Sequence, residues 1–354
     1  MGFLRGPDRP DGEPGEAGQA DSLARIEEGG IPLAAERRLH ALGADGSLFT
    51  SGLSVNEFAL LSAVGPRPLA QVMGGSVVRV GQALLPPVPP YRRWSSSGSN
   101  YSRLEEPHAQ QRAAYRRTTI VFELTALTDA WAEARRNALN RLSEEALQVG
   151  ADVVVGVELR RGEHDLAKRT IDYLISGTAI RSPGSTQTNW PLLSDLSVQD
   201  YWRLHEAGYE PAGLVAATSV MFASPSQGTR RRRMRTLQSN QELAELSQAF
   251  HVARDAVRQR LLSQAQGYHA EGTVGVELSH TVHPEELPAA PSVPSRSPAG
   301  WNRGVLGIPY YVKRRGDVER KGWLITMHGA GTAIRRRRDV PQYPPETTMR
   351  LGSK

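Results

Sequence analysis

Residues 130–159 read AWAEARRNALNRLSEEALQVGADVVVGVEL, and residues 249–278 read AFHVARDAVRQRLLSQAQGYHAEGTVGVEL. Laid on one another without a gap, at an offset of 119 positions, their apolar stripes fall into register. Trp131 meets Phe250, Ala134 meets Ala253, Ala138 meets Val257, Leu142 meets Leu261 and Ala146 meets Ala265. That four-residue spacing predicts one face of an α-helix. Val155-Gly-Val-Glu-Leu159 then meets Val274-Gly-Val-Glu-Leu278, a β-branched run that predicts a strand. The chain therefore carries a helix-into-strand unit twice.

The correspondence continues outward in other registers. Leu53-Ser-Val55, Gly65, Pro68 and Ser76-Val77 return as Leu196-Ser-Val198, Gly208, Pro211 and Ser219-Val220, at an offset of 143. Arg160-Arg-Gly162 and Gly177-Thr-Ala-Ile-Arg181 return as Arg314-Arg-Gly316 and Gly331-Thr-Ala-Ile-Arg335, at an offset of 154. The differences between offsets locate an insertion of 24 residues in the first unit and one of 35 in the second. A period this long is no solenoid repeat. It predicts a domain duplication.

The 354 residues suffice for two such domains and a tail. There is no cysteine, which removes disulfides, thiolate metal sites and a cysteine nucleophile. No apolar run approaches a membrane span, and MGFLRGPDRPDGEPG lacks the apolar core of a signal peptide, so a cytoplasmic protein is expected. The formal net charge of +6 is mild, but Arg230–Arg233, Lys313–Arg315 and Arg335–Arg338 concentrate it locally.

In chain order, residues 1–50 are expected to hold a disordered start (1–20) and a short helical arm from Pro32 to Leu42. A first unit spans 53–181. Ser54 caps its opening helix with Glu57 in the capping-box position. Strand one runs from Leu69 to Val80 with a bulge or bend at Gly74-Gly75, and a long loop covers 82–116. Thr118–Leu124 is an extra strand or the loop's return. Asp129 caps the main helix, and strands follow over 152–159 and 170–180. A linker over 183–195 leads to a second unit, 196–335, with Ser197 and Asp200 in the capping roles. Its strand one is expected over 212–222, its helix over 240–266, and strands over 272–280 and 323–334. An insertion spans 279–313, with a strand possible at 305–312. Residues 336–354 form a basic, proline-containing tail expected to be disordered.

With Glu144-Glu145-Ala146, Gly150-Ala151-Asp152, Val154-Val-Gly-Val157 and Gly177-Thr-Ala179 in view, the chain resembles the bacterial YbjQ-like family, which carries a heavy-metal-binding label. The match is closer in the first unit; in the second, Gly150-Ala-Asp has become His269-Ala-Glu. The resemblance implies an α+β fold of two dodecin-like β-α-β-β units, each a helix on a three-stranded antiparallel sheet. It also implies self-assembly, since family members form pentameric rings.

Two sites are candidates. His280-x-x-His283 followed by Glu285 has ligand types that could hold Zn²⁺, Ni²⁺ or Cu²⁺. Two histidines and one carboxylate still need another donor, such as His269 or His328, and the first unit offers only His164. Arg230, Arg231, Arg232, Arg233 and Arg235 form a cationic loop which, with the C-terminal arginine run, could neutralise phosphates of a nucleic acid or an anionic lipid. No aromatic residue interleaves the loop for base stacking. The carboxylates Glu158 and Glu277 and the arginine pairs Arg135/Arg254 and Arg141/Arg260 repeat between units and read as structural ion-pairing groups. GxxxxGK, HExxH, GxSxG and a strand-linked GxGxxG are all missing, which disfavours an enzyme. The sequence thus predicts a non-enzymatic assembly protein with metal binding, nucleic-acid binding being the alternative. The two units are expected to pack as a pseudo-dimer, any larger ring holding an even number of units.

Overall fold

The computed structural model describes residues 16–42, 50–80, 120–164, 170–183, 190–224, 242–287, 301–303, 309–311 and 320–337. It is a mixed α+β architecture with six helices and two four-stranded sheets among the described residues. The arm is α1 (Glu16–Glu27) and α2 (Leu33–Leu42), so helix begins inside the stretch read as disordered.

The first half contributes α3 (Val55–Val64), β1 (Arg67–Arg79), β2 (Ile120–Glu123), α4 (Thr125–Gln148), β3 (Val153–His164) and β4 (Thr170–Arg181). β5 (Leu192–Leu193) lies in the linker. The second half contributes α5 (Val198–Glu206), β6 (Tyr209–Ser224), α6 (Ala244–Gly267), β7 (Gly272–Leu287) and β10 (Arg320–Arg336). A small ribbon pairs β8 (Trp301–Arg303) with β9 (Pro309–Tyr311).

The first sheet has the order β1-β4-β3-β5 and the second β2-β6-β10-β7. In both, the strand before the long helix pairs with the last strand of the half, which pairs in turn with the strand after the helix. Each sheet also gains one strand that a β-α-β-β unit lacks. β5 joins the first in parallel. β2 crosses over, so that Ile120–Glu123 pairs with Met221–Ser224 of the second half.

Local chemistry explains the boundaries. Ser54 and Glu57 close the expected capping box, and the Ser197 hydroxyl accepts from the Asp200 backbone N–H. α4 starts at Thr125 rather than at an Asp129 cap, because Leu124 is tied back to the Val220 carbonyl by β2's pairing. No bulge occurs at Gly74-Gly75, where β1 keeps its register. Gly74 serves close approach instead: a Cβ there would sit 1.9 Å from the Ala138 carbonyl oxygen of α4. β7 runs to Leu287, well past the expected end at residue 280.

The layers stack in the order first sheet, α4, second sheet, α6. Trp131, Ala134, Ala138, Leu142 and Ala146 of α4 share one core with Val72, Val154 and Ile175 of the first sheet and with Leu214, Val220, Phe222 and Leu324 of the second. The opposite face of the second sheet, with Val215, Ala217, Met221 and Ile325, packs on Ala253, Val257 and Leu261 of α6. A third cluster joins α3 and α5 over the outer end of the first sheet through Leu61, Val155, Ile180 and Val198.

Candidate functional site

The region where the two halves meet is the most elaborate polar and aromatic arrangement among the described residues. Trp131 is buried and meets Tyr173 of its own sheet edge-on at 6.1 Å and His328 of the other half at 4.7 Å. His328 shares a hydrogen bond with the Thr218 hydroxyl at 3.0 Å. Burial first, then the charges of Arg161 and Arg135, push this imidazole down to about 3, so it is neutral at physiological pH. Burial also pulls the Arg135 guanidinium below the usual arginine range, opposed by the Tyr173 phenol beside it. Arg161 reaches across the seam to the Ser279 hydroxyl at 3.0 Å.

The linker is fastened to both sheets. Ser194 donates its N–H to Val154 and accepts from Val157. Its hydroxyl lies 3.0 Å from that of Thr332, and Thr332 also donates to the Asp195 carboxylate. Burial raises the Asp195 pKa, against the Thr332 bond.

A second device occurs in both halves. On α4, Glu145 accepts from the Met73 N–H at the free edge of β1, and Arg141 donates to the Gly75 carbonyl. On α6, Gln264 binds both the N–H and the carbonyl of Ala216, and Arg260 donates to the Thr218 carbonyl. These are the same helix and strand positions in the two halves, so a polar pair from the helix satisfies each edge strand. Around it the halves diverge. Glu145 pairs with Arg38 of the arm at 2.6 Å, whereas Arg260 holds Glu123 at 2.8 Å. Glu123 also accepts from the Ser219 and Thr128 hydroxyls. The repeat of Arg141 on Arg260 marked these positions in the sequence, but their strand-edge role needed the sheet order.

The expected metal site does not assemble. His280, His283 and Glu285 fall inside β7 rather than at a loop mouth, and the register across them is unbroken. In a strand, side chains three apart point to opposite faces. His280 meets Phe250 of α6 at 4.9 Å, so His283 and Glu285 lie on the other face. His328, named as a further donor, is buried against Trp131 and Thr218. No group of three or more ligand-type residues that could hold a metal occurs among the described residues.

Arg230, Arg231, Arg232, Arg233 and Arg235 lie outside the described residues, as do the loop 82–116 and the tail after Arg337. The start of the C-terminal arginine run is used internally. Arg335 pairs with Glu210 at 2.6 Å, Arg336 bonds the Tyr209 hydroxyl, and Arg337 meets His205 at 2.6 Å. No helix among the described residues is long and apolar enough to cross a membrane.

Two comparisons with known proteins give matches. A family model described as "Putative heavy-metal-binding" (YbjQ) matches residues 110–182, which take in β2, α4, β3 and β4. The encapsulin nanocompartment protein Rv1762c of Mycobacterium tuberculosis (strain ATCC 25618 / H37Rv) is 32% identical over 253 residues, covering 70% of this chain and 82% of the relative. No solved structure matches the chain. The named relative overturns the expectation of a heavy-metal-binding or nucleic-acid-binding protein, and the opposed faces of His280 and His283 give the physical reason on the metal side. The chain belongs to the family of the encapsulin nanocompartment protein Rv1762c.

Proposed function

We propose that this chain is a structural, non-catalytic component of an encapsulin-type nanocompartment and that it acts by self-association. The observation that carries this reading is the asymmetric stacking of the two halves. The second sheet covers α4, while no described element of the first half covers the outer side of α6 apart from β2 at its edge. The relative's name supplies the setting, and the buried Trp131–His328–Thr218 arrangement among the described residues is a packing seam rather than a reactive pocket. His328 and Arg135, which could in principle do acid–base work, are enclosed there with no cavity beside them among those described.

The same reading takes the chain as two diverged copies of one β-α-β-β unit of dodecin-like type. The gapless register of α4 on α6 supports it, as does the common strand order β1-β4-β3 and β6-β10-β7. The boundaries proposed are 53–181 and 196–335, each extended by a borrowed strand.

Size-exclusion chromatography with light scattering tests the reading. The expected species has a mass that is a whole multiple of 38.7 kDa, and electron microscopy should show discrete particles. A single chain at micromolar concentration in both measurements would overturn it.

A further inference from the structure

Placing the two halves in register exposes a pattern in what each leaves open. The internal contact buries outward-facing residues of the second half against the first half. Val198, which packs with Leu61, Val155 and Ile180 on the face of the first sheet opposite α4, is 4% exposed, Ala216 3% and Val220 0%. Their first-half counterparts, at the offset of 143, are Val55, Met73 and Val77, which are 84%, 42% and 67% exposed. The converse holds on the other side. Val157 of β3 is 3% exposed, while its counterpart Val276 of β7 is 43% exposed, and Leu278 next to it is 49% exposed.

These five residues are a large part of the exposed bulky apolar side chains among the described residues, and they divide between the two ends of the layer stack. Apolar side chains gathered in this way mark an interaction surface. Each end carries one of the two surfaces that are already complementary inside the chain.

We infer that the outer face marked by Val55, Met73 and Val77 receives α6 and β7 of a second copy of this chain, head to tail, repeating the internal seam. The inference rests on the self-association reading and supplies its geometry. A head-to-tail contact uses two different patches, so it propagates to a closed ring or an open filament. Each added chain brings two units, and any closed ring holds an even number.

A polar match runs along the same register. Within the chain, the Glu123 carboxylate at the entrance to α4 is held by Arg260, Ser219 and Thr128. The corresponding entrance to α6 presents Glu242, already bonded to the Ser247 hydroxyl at 2.5 Å as Glu123 is to that of Thr128. The remaining partners of that lock, Arg141 and Ser76, stand at the counterpart positions of Arg260 and Ser219 on the first half. In the contact, Glu242 of one copy meets Arg141 and Ser76 of the next. In the single chain the Arg141 guanidinium donates to the Ile26 and Gly30 carbonyls of the arm, so the arm yields or shares it on association. Backbone register follows as well. The Val220 N–H donates to the Thr128 hydroxyl at 3.1 Å, which sets Val77 against Ser247 of the neighbour.

Three variants test this in the full chain. Val77→Asp and Leu278→Asp each place a charge on one of the two patches, at exposed positions that the single fold tolerates; circular dichroism should match the parent. Light scattering should show each variant as a single chain. Mixed in equal amounts, they retain one good patch of each kind and should give a pair of chains and nothing larger. Because the chain has no cysteine, Val77→Cys with Ser247→Cys in one chain should form an oxidisable ladder of cross-linked copies. A parent that is itself a single chain overturns the self-association reading and this inference together. A parent oligomer that survives both charged variants and yields no ladder overturns the inference alone. Two charged variants that dissociate but never pair on mixing overturn the head-to-tail polarity.

Discussion

His269 is the only non-glycine residue among those described with positive φ, at 53°. It stands just past the end of α6, where Gly150 (φ 75°) stands past the end of α4. A side chain in the left-handed region is crowded by the following carbonyl, which glycine avoids. The substitution His269→Gly should therefore stabilise the protein by roughly 0.5–1 kcal/mol, a net value after the greater freedom of the unfolded glycine. A shift to higher midpoint in urea unfolding is the expected result. His328 makes the opposite kind of statement. Its folded pKa of about 3 lies below the ordinary value near 6.5, so acid protonates the unfolded chain first. Stability due to this group is complete above about pH 6.5 and falls as pH drops toward 3, at up to ~1.4 kcal/mol per pH unit. His328→Gln keeps a partner for Thr218 and cannot titrate. Its unfolding free energy should change less between pH 7 and 4.5 than that of the parent, measured side by side.

Among the elements, β2 has the largest effect on the architecture for its size. Four residues cross from the first half to the edge of the second sheet, where Phe122 meets Phe222 at 5.6 Å. The turn from β2 into α4 brings Glu123 to Arg260, which is also bonded to the Thr218 carbonyl. Burial raises the Glu123 pKa, but the hydrogen bonds and charge of Arg260, with Ser219 and Thr128, outweigh it and leave the carboxyl below its usual range. Arg260→Met should cost about 1–3 kcal/mol, because a partly buried carboxylate and a strand-edge carbonyl lose their donor together. The loss should shrink as pH falls through the carboxylate range, since a protonated Glu123 no longer misses the charge. Chemical denaturation of parent and variant at pH 7 and at pH 4 checks both the size and the sign.

At the scale of the molecule, the described end of the linker adds a strand to the first sheet. Leu192–Leu193 pairs with β3, and Ser194 and Asp195 are bonded to Thr332 of the last strand. The core around Trp131 takes side chains from both halves, so neither half can unfold without exposing the other. Calorimetry should show one cooperative transition for both halves rather than two. Trp131→Ala should lower that single transition, by about 3–5 kcal/mol in stability, instead of splitting a first-half transition away from the second.

Period and composition were enough for the long helices and the central strands, though not for α1, β5 or the length of β7. The register of Trp131 on Phe250 and the serine caps at 54 and 197 depend on neighbours in sequence, and each was legible there, whereas the left-handed Gly156 (59°) and Gly275 (66°) were read only as strand. Local spacing sets helix faces, caps and bulges because these are built from contacts a few residues apart. The relation between the halves was not legible in this way. Whether Val77 or Val220 is buried depends on which sheet lies over which helix, and the two valines sit in matched sequence contexts. The same holds for His280 and His283, whose ligand-like spacing became a separation across two faces once β7 continued as a strand to Leu287. Sequence periodicity determined the two long helices and the strand that follows each. Only the tertiary structure decided that the second sheet covers the first helix, because burial between layers comes from contacts distant in the chain that no local pattern encodes.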